Sequence, residues 1–311
     1  MVQVTDSQAL TISAEAVAHL RSHSPTPIPG DRLTQEFADA LNRQIATQNE
    51  PLLERLRASL GLRVKEKMIG GTRVVVITPA TVTWKRRKVA GFFVHGGAFA
   101  LLSGNDYNAY RMAHDLGIVV YSVSYSLSPR AQFPTALDET FAAYRAVSRK
   151  YRRVVVAGSS AGGNLLITTI LRAFRGDIDP PHAAALFCPA VDLRAIGDSY
   201  VANDGRDPLV SSDGVAKFSA AYLGATSRIN PEASPILADY SHGFVPTIIT
   251  TGTRDLLQSD SVRFYWRLRD AGASAQLRVW EGMWHAFESV YNLPEGEQNM
   301  HEVFGFLKEH L

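Results

Sequence analysis

Cysteine is almost absent from the chain, since Cys188 is the one cysteine in 311 residues. A single cysteine excludes an intramolecular disulfide and any metal site built from several thiolates. The composition of a disordered protein is also absent, because 46% of the residues are apolar and 20% are charged. An excess of either charge is lacking as well: 32 basic residues face 30 acidic ones. This balance argues against nucleic acid or an anionic membrane as the partner.

Long apolar segments are missing too. No stretch approaches the run of about 18 apolar residues that a membrane-spanning helix needs. The first residues lack the basic and then apolar pattern of a secretory signal. The sequence therefore predicts a protein without a membrane span and with a cytoplasmic location. A basic cluster at 85–88, which begins at Lys85, is interpreted as a solvated turn.

The order of apolar patterns predicts an α/β fold with a mostly parallel central sheet. Apolar residues spaced by three and four indicate a separate N-terminal helical segment at 1–60, with helices at 34–48 and 51–60. Short apolar runs then alternate with helical stretches, as expected for parallel strands that are covered on both faces. The strand candidates are 72–78, 89–94, 118–124, 153–157, 183–188, 247–251 and 276–280, and the helix candidates between them include 134–148, 161–174 and 259–271. The stretch from about 195 to 240 is too long for a simple crossover and is interpreted as an insertion.

The pattern G-x-S-x-G occurs at 158–162, between a strand candidate and a helix candidate. In this context small residues allow a sharp turn that raises the central serine, Ser160, above the sheet, where a base and a substrate can reach it. The alternative interpretation is a chance match. Cys188, which precedes a proline, is a second candidate nucleophile. It lacks a glycine turn and is interpreted as a small core residue.

A glycine pair directly follows the strand candidate at 89–94. After His95, Gly96 and Gly97 allow the backbone to bring its N–H groups close to a substrate. Acyl transfer requires such donors where the oxyanion forms. Gly96, Gly97 and Ala161 are therefore the predicted oxyanion donors, with an ordinary glycine turn as the alternative.

A nucleophilic serine requires a base, and the base requires a carboxylate that orients it. Among nine histidines, His285 lies just after the last strand candidate, at the carboxyl edge of the predicted sheet. Asp255 follows the strand candidate at 247–251, whereas its competitor Asp260 falls inside the next helix, where we expect it to be solvated. Ser160, Asp255 and His285 thus follow different strands at the edge where open α/β sheets build their sites. We predict that they form a catalytic triad.

Four stretches resemble the hormone-sensitive-lipase-like group of α/β-hydrolases, the bacterial family IV esterases. They are 95–98, 125–136, 158–163 and the segments around Asp255 and His285. The resemblance implies an α/β-hydrolase catalytic domain at 61–311, with a helical cap made of 1–60 and of an insertion at about 195–235. It also implies that His95 shapes the oxyanion loop. The implied reaction is hydrolysis of small or medium esters without a metal or cofactor.

The chain departs from the pattern of this group at three supporting positions. Ala98 stands where a third glycine is usual, and Arg130 stands where the group has glutamate. Ser159 replaces the usual aspartate before the nucleophile. We therefore expect the turn that carries the nucleophile to be braced differently in this chain.

Aromatic residues near the predicted cap favour an apolar substrate. Phe218, Tyr222, Phe244 and Trp284 are the predicted substrate-binding residues, and the alternative is that they pack the cap onto the core. The predicted function is a serine carboxylesterase that acts on mainly apolar esters. A lactone hydrolase with the same triad and a non-catalytic ligand-binding receptor are the alternatives. The strand candidate 276–280 could also be a sheet edge through which two chains pair in a homodimer.

Overall fold

The computed structural model describes residues 2–83, 86–176 and 178–311. Lys85, which belongs to the expected basic turn, lies outside the described residues. The helices are α1 (Asp6–Ala9), α2 (Ala14–Ser22), α3 (Gln35–Ser59), α4 (Tyr107–Leu116), α5 (Thr135–Ser148), α6 (Ala161–Arg175), α7 (Ser199–Ala202), α8 (Ser212–Leu223), α9 (Gln258–Asp270) and α10 (Pro294–Lys308). The strands are β1 (Leu62–Ile69), β2 (Thr72–Pro79), β3 (Val89–Val94), β4 (Val119–Val123), β5 (Arg153–Ser159), β6 (Ala183–Phe187), β7 (Thr247–Gly252) and β8 (Ala275–Trp280).

The strands form one sheet of eight strands in the order β1-β2-β4-β3-β5-β6-β7-β8. The pairs β1–β2 and β2–β4 are antiparallel, and every other pair is parallel. The central strands β3, β6 and β7 are buried at every residue, as continuous apolar strands covered on both faces must be. The mostly parallel α/β fold expected from the sequence is confirmed, and the carboxyl ends of β3 and β5 to β8 all lie at one edge.

Two apolar clusters fill the space between this sheet and the helices. Helices α5, α6 and α9 contribute Tyr144, Leu165 and Phe264 to the cluster on one face. Helices α3, α4 and α10 contribute residues such as Tyr110 and Phe304 to the cluster on the other face. The sheet is therefore fixed from both sides, and the loops at its carboxyl edge project from a rigid support.

Two elements differ from the sequence expectation. Helix α3 continues through Pro51, where two helices were expected. Proline removes one hydrogen bond from the helix, and burial of Leu53 and Leu56 against the sheet keeps the axis unbroken. Strand β1 was not among the strand candidates. It carries charged residues on both faces because it pairs with β2 alone, at one end of the described sheet.

The N-terminal segment contacts the insertion. Lys217 of α8 donates from Nζ to the carbonyl of Ile28 at 3.0 Å. Phe218 and Ala221 of the same helix pack with Ile28 and other N-terminal residues against Ala100, which follows the glycine pair. The stretch at about 195–235, which is interpreted from the sequence as an insertion, contains α7 and α8, and α8 lies with the N-terminal segment beside Ala100 in the loop after β3. None of the described helices is both long and apolar enough to cross a bilayer.

Candidate active site

Ser160 lies in a sharp turn between β5 and α6. Its backbone has φ 53° and ψ −119°, a conformation that L-residues rarely adopt. The carbonyl of Phe187 on β6 accepts from the Ser160 N–H at 2.8 Å, and the Ser160 carbonyl accepts from the Ala190 N–H at 3.1 Å. These bonds hold the strained residue, and its side chain points away from the strand.

Close backbone packing explains the glycines around this turn. A Cβ at Gly162 would lie 2.1 Å from the carbonyl oxygen of Val94, and one at Gly158 would lie 2.9 Å from the carbonyl oxygen of Gly162. Both distances are shorter than nonbonded atoms allow. The turn can therefore approach β3 only because these positions have no side chain, and this approach brings Ser160 beside the glycine pair.

The structure brings Ser160, His285 and Asp255 together in one hydrogen-bonded series. A carboxylate only accepts hydrogen bonds, so the proton between His285 and Asp255 is on Nδ1, which donates to Asp255 Oδ1 at 2.9 Å. Nε2 is then the acceptor, and Ser160 Oγ donates to it at 2.8 Å. Side chains that follow β5, β8 and β7 thus meet in the order hydroxyl, imidazole and carboxylate.

The charges in this series depend on its burial. Asp255 is fully buried, yet the pKa of its carboxyl lies below the ordinary value. Burial raises that pKa, but His285 and the bonds from Thr251 Oγ1 at 2.6 Å and the Leu257 N–H at 2.8 Å outweigh the burial. The pKa of His285 is raised, because the charge and hydrogen bond of Asp255 overcome the opposing effect of burial. Asp255 is therefore the charged member, and it makes His285 a stronger base.

Asp260 does not join this series, and the expectation that it is solvated is wrong. Its side chain is fully buried, and Oδ2 accepts from the N–H groups of Val191 at 2.9 Å and Asp192 at 3.0 Å. Burial raises the pKa of this carboxyl to about 7. Asp260 thus fixes the chain that follows β6, because the first turn of α9 directs it into the protein.

Asp207 was missed by the sequence analysis. It lies in the insertion, and its Oδ2 accepts from the N–H groups of Leu256 and His285, each at 3.0 Å. One carboxyl group thus joins the loop after Asp255 to the loop that carries the base. An aspartate before a proline is ordinary in a turn, so its sequence gave no signal of this role.

The glycine pair is arranged as oxyanion donors should be. Tyr125 stacks on His95 at 4.1 Å between ring centres, and its hydroxyl donates to the carbonyls of His95 and Gly96 at 3.0 and 2.9 Å. In a trans peptide the N–H points opposite to the carbonyl, so the N–H groups of Gly96 and Gly97 point away from Tyr125. Within the described residues, neither these two groups nor the N–H of Ala161 has an acceptor.

The loop also lies against the nucleophile. A Cβ at Gly96 would be 3.3 Å from Cβ of Ser160. Free donors and a serine hydroxyl are therefore adjacent, which is the arrangement that stabilises a developing oxyanion. His95 is fully buried, and burial lowers its pKa to about 4. It stays neutral and supports the loop.

Cys188 is a buried thiol at the end of β6. Its sulfur lies near Asp255 and His285, within 4.8 Å of one donor atom from each, and accepts from the Ala286 N–H at 3.4 Å. Burial raises the pKa of the thiol well above its ordinary value, which disfavours the nucleophilic thiolate. The Asp255 and His285 atoms in this group already bond to each other, so their geometry fits proton transfer better than metal ligation.

Three of the four predicted substrate-binding rings are buried. Tyr222 stacks on Phe99 at 3.7 Å between ring centres, and Trp284 stacks on His19 at 4.5 Å. Phe244 packs edge-on against Phe264. Phe218 is half-buried beside Ala100. The burial of the first three favours the packing alternative for them, and a role for Phe218 in binding substrate stays a prediction.

The sequence is similar to those of known α/β-hydrolases and esterases. A family model described as alpha/beta hydrolase fold matches residues 91–289. An esterase of Acinetobacter venetianus is 30% identical over 69% of this chain and 73% of its own length. An ethyl acetate hydrolase of Pseudomonas putida is 28% identical over 70% of this chain and 72% of its own.

Two solved structures extend the comparison to the whole chain. The esterase E25 superposes with a TM-score of 0.88 at 29% identity, over 100% of this chain and 98% of that one. EstE7, a hormone-sensitive-lipase homologue from a metagenome library, superposes with a TM-score of 0.78 at 25% identity, over 90% of this chain and 99% of its own.

Proposed function

The chain belongs to the α/β-hydrolase fold family, among the hormone-sensitive-lipase-like carboxylic ester hydrolases, and we propose that it hydrolyses small to medium, mainly apolar esters with Ser160 as nucleophile. The observation that carries the proposal is the bonded series from Ser160 through His285 to Asp255. The relatives that are named for esters of acetic acid support a short acyl group.

Acylation begins when Ser160 Oγ attacks the ester carbonyl carbon. Nε2 of His285 takes the hydroxyl proton as the bond forms, and Asp255 stabilises the resulting imidazolium. The carbonyl oxygen becomes an oxyanion beside the N–H groups of Gly96, Gly97 and Ala161. The tetrahedral intermediate then expels the alcohol, which receives its proton from His285.

Deacylation uses the same groups with water in place of the serine. His285 Nε2 removes a proton from a water molecule that attacks the acyl-Ser160 carbonyl. Collapse of the second tetrahedral intermediate releases the carboxylic acid and returns the proton to Ser160 Oγ. The proposed cycle thus uses these side chains, the backbone donors and water.

The cap belongs to the same proposal. Residues 1–60 and the insertion at about 195–235 would form it, on a catalytic domain at 61–311. The bond between Lys217 and Ile28 and the packing of Phe218 support a cover built from both segments. An apolar cover of this kind suits uncharged esters, because it cannot solvate a charged acyl group. A cytoplasmic location and a homodimer through β8 stay predictions.

The proposal is tested with a panel of p-nitrophenyl esters of increasing acyl length and several lactones. We expect turnover to be highest for short and medium acyl chains, and Ser160→Ala to lose at least about 10³-fold in kcat. Ser148→Ala, a hydroxyl deletion on α5 away from the carboxyl edge, is the matched control and should retain full activity. Turnover of lactones alone would favour the lactonase alternative.

Covalent labelling separates an enzyme from a receptor. An organophosphonate should modify Ser160, and peptide mass spectrometry should locate it there and not at Ser159. Full activity of Ser160→Ala, or phosphonylation at another residue, would contradict the proposal.

A further inference from the structure

Glu288 is a buried carboxyl group that the reaction described above does not use. It lies in the 3₁₀ turn Phe287–Ser289, three residues after the proposed base, and its side chain is almost fully buried. Its Oε1 accepts from Ser159 Oγ at 3.0 Å. The chain has serine at 159 where its family usually has aspartate, and this bond is the different brace that the sequence led us to expect.

Two hydrogen bonds therefore join the same two segments. Ser160 Oγ reaches His285 across 125 residues of sequence, and Ser159 Oγ reaches Glu288 across 129 residues. Ser159 and Ser160 are consecutive on one segment, and Glu288 lies three residues after His285 on the other. The bond between Ser159 and Glu288 therefore limits rotation of the His285 loop about the bond between Ser160 and His285. Only the first bond involves reacting atoms.

The donors around Glu288 are too few to hold its pKa at the ordinary value of a glutamate. Asp255 accepts three hydrogen bonds and remains ionised, whereas Glu288 accepts one from a side chain. Oε2 of Glu288 has no partner among the described residues. Burial raises the pKa of Glu288 to about 7. The carboxyl group is thus neutral in acid and becomes charged as the pH rises through this value.

Several titratable groups approach Glu288 from the elements packed around it. His285 and Asp255 are its charged neighbours at the site, and the Cys188 thiol faces it from the end of β6. Asp207 contacts His285 from the insertion. The three acids of the adjacent helix α10 are engaged elsewhere: Glu295 accepts from Ser13, Glu297 accepts from Arg111 and Glu302 accepts from Arg278. Among these groups, His285 is the one that can carry a charge opposite to that of Glu288.

We propose that Glu288 is a positioning residue for ester hydrolysis, which fastens the His285 loop to the nucleophile turn through Ser159 and so holds the base beside Ser160. The inference rests on the proposed function. A charged Glu288 favours the protonated imidazole, so His285 releases its proton at a higher pH than it would beside a neutral residue.

Two substitutions at 288 separate these effects. Glu288→Gln retains a carbonyl oxygen that accepts from Ser159 but cannot ionise. We expect kcat at high pH to stay within about threefold of wild type, and the acidic limb of kcat/KM to move down by about half a pH unit or more. Glu288→Ala also removes the brace, so kcat should fall about tenfold with little change in KM.

A double-mutant cycle tests the bond itself. Ser159→Ala should lower kcat to a similar degree as Glu288→Ala, and the double variant should be no worse than either single one, because all three lack the same contact. Glu297→Gln, an acid of α10 that pairs with Arg111, is the matched control and should leave both kcat and the pH limb unchanged. Thermal unfolding of each variant identifies any that fails to fold, and Glu288→Gln and Ser159→Ala then carry the test.

An unshifted acidic limb in Glu288→Gln, or additive losses in the double variant, would overturn the inference. These results are distinct from failure of the proposed function, in which Ser160→Ala would remain active and organophosphonate would label another residue.

Discussion

Three buried carboxyl groups surround His285, and each has different surroundings. Asp255 accepts three hydrogen bonds and keeps its charge. Asp207 accepts four backbone N–H groups, yet burial and the neighbouring charge of Asp255 raise its pKa to about 6. Glu288 accepts a single side-chain bond and has its pKa raised to about 7. Asp255, which contacts Nδ1 of His285, is therefore the one of these three carboxyl groups that ionises at the lowest pH.

The two aspartates that follow β7 should differ sharply in the loss of kcat when each is changed to asparagine. Asp255→Asn leaves the shape intact but favours the wrong imidazole tautomer, so kcat should fall by about 10⁴-fold. Asp260→Asn keeps an oxygen for the Val191 and Asp192 N–H groups, and kcat should change less than about threefold. Steady-state kinetics on a p-nitrophenyl ester measure both. A larger loss in Asp260→Asn would mean that the proposed carboxylate is the wrong one.

The pH dependence of kcat/KM should reflect the raised pKa of His285. Only the neutral imidazole acts as base, so activity rises as the pH passes upward through this pKa. Because Asp255 raises the pKa, the acidic limb should lie above the ordinary histidine value of about 6.5. Rates from about pH 5 to 9, corrected with Ser160→Ala as blank, measure the limb. A midpoint at or below the ordinary value would contradict the assignment.

Residues that follow strands were predictable from the sequence, and those that support them were not. Ser160, Asp255 and His285 each follow an apolar run, so their shared edge could be inferred from strand positions alone. Asp207 and Glu288 contact the same site from an irregular insertion and a 3₁₀ turn. No periodicity constrains where such segments fold, and the burial of Asp260 was mispredicted because polarity suggested an exposed helix face.

At the scale of elements, the serine turn depends on how closely α6 approaches β3. Gly162 is in the first turn of α6, where the carbonyls of Val94 and His95 leave no space for a side chain. The same contact sets the glycine pair beside Ser160. One short distance thus determines both the nucleophile position and the donor position.

A pair of glycine-to-alanine substitutions tests this dependence. Gly162→Ala would place Cβ 2.1 Å from the Val94 oxygen, so we expect a destabilisation of about 1–3 kcal/mol and a large loss of kcat. Gly305→Ala in α10 has no atom within 4 Å of the added carbon and should stabilise the protein by about 0.5–1 kcal/mol. Thermal unfolding and esterase assays measure both. Equal effects at the two positions would show that close packing at the turn is unimportant.

An element could be recognised from the sequence where its own apolar pattern is strong. Buried parallel strands such as β3 and β7 have continuous apolar runs and could be recognised directly. Strand β1 carries charged residues on both faces and is held through pairing with β2, so its own composition does not identify it. Helix α3 continues past Pro51 because tertiary packing of its second half outweighs one lost backbone bond.

At the scale of the whole molecule, the carboxyl edge is enclosed by sequence-distant segments. The N-terminal helix α2 places His19 on Trp284, next to the base. Helix α8 meets residues near Ile28 on the other side, beside Ala100. Segments from the N-terminal part and from the middle of the chain thus surround the loops that carry Ser160 and His285.

The buried thiol of Cys188 can report unfolding of the whole protein. Cys188 is fully buried, and its raised pKa disfavours the thiolate. We expect no reaction with a thiol reagent in native conditions and one equivalent after denaturation. Labelling rates across a denaturant series should follow the loss of esterase activity. Rapid labelling of the active native protein would show that the carboxyl edge opens locally.

The sequence separation of the bonded side chains has a consequence for biosynthesis. Ser160 is made 125 residues before His285, and β6, β7 and β8 must still be translated and paired before the two can meet. A nascent chain therefore carries a serine hydroxyl that has no base. Ester hydrolysis therefore becomes possible only in a late step of folding. The recovery of turnover during refolding would measure when the sheet is complete.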